Sequence, residues 1–174
     1  MEQNLNFLIE NGTKWIVEQR DRHRPSAVEL AAPCKDALKP YFRPETLEAV
    51  RVKEVFQIEN PGFYNELQQA GQGIPLDFSR MAGITFVDTV LLSQLMSQPA
   101  PTLALIFHEC VHVAQYQILG VDEFVRRYVE GWAANEYEYV SIPLEVDAYS
   151  LQGQFEASPN TPFSVEAEVA RRLL

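Results

Sequence analysis

The sequence predicts an α+β fold in which helices surround a small antiparallel sheet. Three observations carry this. Two short stretches rich in β-branched residues, 50–58 and 83–92, sit near the middle of the chain. Helical periodicity dominates before residue 50 and again from residue 102 onward. Residues 102–119 are apolar almost all round, the mark of a central helix buried on every side.

The elements follow in order. Residues 4–20 carry Leu5, Leu8, Ile9, Trp15, Ile16 and Val17 in a helical period that Gly12 interrupts. Residues 20–25 are charged and end in Pro25, as a connector does. Residues 26–38 read as a second helix in which Pro33 imposes a kink or a split. Pro44 suits the first turn of a short helix through Ala49. The strand over 50–58 leads into an Asn60-Pro61-Gly62 turn and a short helix over 63–69, ended by Gly71 and Gly73. Within 83–92, Asp88 divides the β pattern into a hairpin or a bend. Past Pro99 and Pro101 the period is helical. Gly120 stands where a C-cap glycine belongs, and Asp122 can cap a helix running to Ala134. Pro143 opens a further helix through Phe155, and residues 164–174 form a last amphipathic one. The reading is one domain over 1–174, with a helical N-terminal extension over 1–45, a core over 47–151 and a C-terminal helix over 164–174.

Composition narrows the function. Of 174 residues, 47% are hydrophobic and 22% charged, which is globular usage and excludes wholesale disorder. The longest apolar run, at 102–107, falls far short of the roughly 20 residues of a membrane span. Residues 1–4 lack the basic and then apolar layout of a signal peptide, so a cytoplasmic protein is expected. The formal charge of −10 is uneven, −1 over 1–60 and −9 over 61–174. An acidic surface repels phosphate backbones and argues against nucleic-acid partners, while favouring basic peptides. Cys34 and Cys110 are the only cysteines. They form no CxxC pair, although a single bridge between them is open. A Cys-rich zinc site is excluded, so any metal must be held by histidine and carboxylate, from a stock of 3 His.

The central helix contains His108-Glu109-Cys110-Val111-His112, an HExxH motif. Residues four apart share a helix face, so His108 and His112 can offer two imidazoles to one ion. Glu109 is rotated by about 100° and flanks the ion instead of facing it, as a proton acceptor for an activated water should. Catalytic zinc takes a third protein ligand. The metzincin continuation needs glycine and histidine where this chain has Gln115 and Ile118, which excludes that class. The candidates left are His23 and the downstream carboxylates Asp122, Glu123, Glu130, Glu136, Glu138, Glu145 and Asp147. Gln115 shares the face of His112 and holds that histidine, a substrate, or only a polar helix contact. Cys110 points away from the histidine face and reads as an inert buried thiol.

Glu145-Val146-Asp147-Ala148, opening a helix after Ile142-Pro143-Leu144, resembles the ExxA helix that supplies the glutamate ligand in gluzincin metallopeptidases. The wider pattern over residues 47–151 is similar to a group of minimal gluzincin-like domains, among them the peptidase domain associated with contractile injection systems. The resemblance implies a zincin-like fold and zinc (Zn²⁺) held by His108, His112 and Glu145, with Glu109 as general base. It also implies a substrate peptide added to an edge strand, for which 84–92 is the candidate. Many gluzincin relatives carry Asp four residues after the ligand Glu. This chain has Tyr149 there, and Asp147 lies on the wrong face to replace it. Tyr149 is placed to donate to the oxyanion of a tetrahedral intermediate, or is a core tyrosine with a bonded hydroxyl.

The function expected is therefore a zinc-dependent peptidase acting on a peptide or protein substrate. Two alternatives stand beside it: a non-catalytic domain in which zinc joins two helices, and a toxin or effector peptidase acting on a foreign target. Nothing in the sequence specifies a substrate or an oligomeric state.

Overall fold

The computed structural model describes residues 2–71, 76–97 and 100–174, with the side chains of residues from 5 onward. Gly73 and Pro99 lie outside the described residues.

The first helix, α1 (Glu2–His23), runs unbroken through Gly12 and absorbs most of the expected connector. Arg20 in its last turn and Arg24 just past its end both reach Asp88, at 3.2 and 2.9 Å, and hold this end of the helix against the turn that carries Asp88. Residues 26–38 are not one helix. Pro33 sits in the first turn of α2 (Ala32–Leu38), where its missing N–H leaves nothing unbonded, and the preceding residues form β1 (Val28–Glu29). Next come α3 (Pro44–Ala49), β2 (Arg51–Val55) and α4 (Tyr64–Gln69). The expected second β stretch splits into β3 (Gly83–Phe86) and β4 (Thr89–Ser93), a hairpin turning at Val87 and Asp88 with Val87 at φ 61°.

The sheet order is β1-β2-β4-β3. The expected antiparallel sheet is in fact mixed, for β2 and β4 run parallel. The two-residue hairpin forces β3 against β4 in antiparallel register, while the long path from β2 through α4 frees β4 to arrive in the direction of β2. β4 is thus an inner strand, and only the β3 half of the expected edge strand lies at the sheet margin. Val52, Val90 and Leu92 pack with Phe107, Cys110, Val111 and Ala114 of the central helix. On the other face, Val55, Ile84, Phe86 and Leu91 pack with Trp15 of α1. Covered on both faces, β4 reads as a continuous apolar run, Val90-Leu91-Leu92, instead of an alternating one.

The central helix α5 (Leu103–Ala134) is capped by Thr102, whose side chain accepts from the Leu105 N–H. It breaks at Gly120, as the sequence predicts. There φ is 74° and ψ 170°, a region essentially reserved for glycine. The break divides α5 into a first arm bearing HExxH and a second arm turned back over the site. α6 (Pro143–Ala157) packs along both arms, and α7 (Val165–Leu173), capped by Ser164, closes the chain. A side chain at Gly131 would strike Pro143, its Cβ within 2.6 Å of the ring, so glycine lets the start of α6 approach the second arm. Cys34 and Cys110 are free thiols, Cys110 fully buried. No helix among the described residues is long and apolar enough to cross a membrane.

Candidate metal centre

His108 and His112 project from one face of α5 toward Glu145 in the first turn of α6. The Nε2 atoms are 3.1 Å apart, and Glu145 Oε2 lies 3.2 Å from that of His108 and 3.4 Å from that of His112. Donors around a tetrahedral zinc with bonds of about 2.0–2.1 Å are separated by about 3.3 Å, so the three atoms are spaced as the edges of such a site. All three residues are buried.

The imidazole tautomers reinforce this fit. His112 Nδ1 meets Gln115 Oε1 at 2.8 Å, and Gln115 is oriented by donating its amide N–H to the Leu144 carbonyl at 3.0 Å. His108 Nδ1 meets Gln152 Oε1 at 3.1 Å, while the Gln152 amide donates to Glu156. An acceptor oxygen at each Nδ1 requires a proton there. In the neutral rings both Nε2 lone pairs are then turned on each other and on a carboxylate oxygen, an arrangement that only a proton or a cation makes favourable. Glu145 Oε1 accepts from the Tyr128 hydroxyl of the second arm at 2.8 Å.

Electrostatics point the same way. Burial favours the neutral form of Glu145, but His112 and His108 overcome it and hold the carboxyl well below its usual range. Burial likewise disfavours a charged His112, yet the facing Glu145 pushes the imidazole up to about 9. The residues fit a divalent, borderline-soft ion with imidazole and carboxylate ligands, of which zinc is the commonest user of this set.

Glu109 stands beside the triad and belongs to a different pairing. Its Oε2 accepts from the Thr85 hydroxyl at 2.7 Å, and Thr85 also donates to the Glu109 carbonyl at 3.1 Å. Two residues earlier on the same sheet face, Gly83 leaves room for Oε1, which a Cβ there would approach to 2.6 Å. Burial pushes the Glu109 carboxyl up, opposed by His108, His112 and the Thr85 hydrogen bond. Next to it opens a cleft of about 520 Å³, bounded by Gly83 at the start of β3, by His108 and Glu109, and by Tyr139, Tyr149 and Gln152. Tyr149 is no core residue: it is 44% exposed, with its ring tilted over His108 at a centroid distance of 4.5 Å.

The other candidates fall elsewhere. His23 ends α1 and contacts Gln19 and Lys53. Glu123 and Glu130 pair with Arg126, so that part of α5 is a solvated face. Asp147 pairs with Arg172 at 3.0 Å, in keeping with its place off the ligand face. Of the alternatives open for Gln115, holding His112 is the one realised. Sequence reasoning missed Gln152, Thr85, Gly83, Tyr128 and Tyr139. Gln152 follows Glu145 by seven residues, two turns along one face, and was legible in principle. Tyr128 reaches the site because α5 breaks at Gly120; the sequence marks the break, and the direction in which the second arm leaves it has no local signal.

No family model matches the chain, and neither a curated protein nor a solved structure matches it.

Proposed function

We propose that the chain is a zinc-dependent peptidase of gluzincin type, with His108, His112 and Glu145 holding the metal and Glu109 as general base. The observation that supports it most is Glu109: a buried carboxylate held beside the triad by Thr85, outside the ligand set and facing the cleft. When bound, zinc lowers the pKa of a coordinated water and polarises a carbonyl. The chain's residues do the remainder. Glu109 takes the proton of the attacking water and returns it to the leaving amine. Thr85 fixes the direction of the carboxylate, and Gly83 gives its second oxygen space against β3. Gln115 and Gln152 keep the imidazole tautomers right for ligation. Tyr149, over His108, donates to the developing oxyanion. Among the described residues β3 is the last strand of the sheet, with one side unpaired on which a peptide can extend.

Metal analysis of the purified chain is expected to give one zinc per molecule. Glu109→Gln is expected to keep the zinc and to slow cleavage of a peptide library by about 10²–10⁴-fold. A zinc-free wild type, or cleavage that survives Glu109→Gln, refutes the proposal. The burial of all three ligands favours a second reading, a structural zinc joining α5 to α6. Its signature is a melting temperature that collapses on chelation, with no library peptide cleaved.

A further inference from the structure

A second cavity, of about 110 Å³, lies behind the ligand face of His112 and Glu145. Leu8, Gly12 and Ile16 of α1 form one wall, and Val125 and Val129 of the second arm of α5 form another. Leu76, Met81 and Tyr139 line this cavity and the cleft alike, so the two volumes adjoin there. Among the described residues, the only charged groups at its wall are His112 and Glu145, which already face each other.

We propose that this cavity receives a bulky apolar side chain of the peptide, leucine- to phenylalanine-sized, and that α1 thereby selects the substrate. The inference rests on the peptidase reading of the adjoining site. Size supports it: an apolar protein cavity of about 150 Å³ stays dry and takes up benzene. Chemistry supports it too, because a charged side chain would lose its hydration here and find no free partner. The third support is Gly12. Glycine is unfavourable inside a helix, and packing does not demand it here: a Cβ would sit at an ordinary 3.4 Å from Val125. What the missing side chain leaves is the open cavity.

The test compares two metal-chelating probes, acetohydroxamate and 4-methylpentanohydroxamate, which differ by a branched apolar chain. The zinc-loaded wild type is expected to bind the second about 10–100-fold more tightly, as burial of one leucine side chain gives. Gly12→Leu, which fills the cavity from α1, is expected to cut that ratio below about threefold. A wild-type ratio near one, with one zinc bound, overturns the cavity's role and leaves the peptidase reading standing. If Gly12→Leu does not fold, Leu8→Ala takes its place. It enlarges the cavity and is expected to shift preference toward 3-phenylpropanohydroxamate, and an unchanged preference overturns the proposal. If the chain binds no zinc, the peptidase reading fails by itself. Toluene is then added to the metal-free chain: methyl NMR shifts at Ile16 and Val129 support the cavity as an apolar receptor, and their absence overturns it.

Discussion

The two histidines of the candidate metal centre are aimed by side-chain amides. Gln115 is itself fixed on the Leu144 carbonyl, so one residue joins α5, α6 and the ring of His112. Gln115→Leu removes the acceptor at Nδ1 and the tie to the Leu144 carbonyl. Zinc affinity is expected to fall by about 10–100-fold, measured by competition with a chelating dye. Zinc must also displace the proton that His112 holds up to about pH 9. Affinity should therefore rise with pH across the neutral range and level off above that value. At pH 7 uptake should release about one proton per zinc. Calorimetry in buffers of different ionisation enthalpy reads this directly, and uptake without proton release contradicts it. At this scale the sequence was most legible. The spacing of His108, Glu109 and His112 specifies its geometry on any helix, and the helix after Pro143 offers Glu145. The residues behind them come from other elements, and no local period reports them.

Among the elements, β3 and α5 are matched at Gly83, where the strand passes within contact of the Glu109 carboxylate. Gly83→Ala is expected to displace that carboxylate while sparing the metal ligands. Peptide cleavage should drop at least about 10-fold with zinc content unchanged, because a misplaced base is costly even over short distances. Loss of zinc together with activity shows instead that the strand has moved as a whole. The helices from residue 44 onward were read well because their signals are local: Pro44 and Pro143 at first turns and Gly120 as a break. The strand order was not legible. Whether β2 meets β4 parallel depends on the course of a long connection, and alternation along a strand says nothing of its neighbour. Gly12 misled for a related reason, since packing of α1 on α5 outweighs the roughly 1 kcal/mol that a helix loses to one glycine.

Over the whole molecule, a metal bound at the triad would tie α5 to α6 across a separation of 33 residues between His112 and Glu145. An ion that binds the folded chain alone, at a hundredfold excess over its dissociation constant, adds about 2.7 kcal/mol. For a chain of this length that corresponds to a rise in melting temperature of about 5–10 °C, to be seen by calorimetry and reversed by chelation. An unchanged melting temperature is the contrary result. The acid excess of residues 61–174 is not gathered at the cleft, whose rim carries Arg80 as well as Asp77. Among the acids of this segment, Glu123 and Glu130 pair with Arg126, Glu168 with Arg171 and Asp147 with Arg172.

Gly120 carries a consequence for how this chain can vary over evolution. Beyond its chain neighbours and its own helix backbone, no atom of the described residues lies within 4 Å of where its Cβ would be, so a survey of space alone would mark the position as free to change. Its torsion angles say the reverse, since the other residues are excluded from them. Loss of the bend would carry Tyr128 away from Glu145, well outside the motif. In a saturation library selected for zinc retention, position 120 should tolerate substitution about as poorly as the histidines. Gly83 should accept partial rescue by compensating changes at position 109 or 85, because there the constraint is room and not backbone conformation.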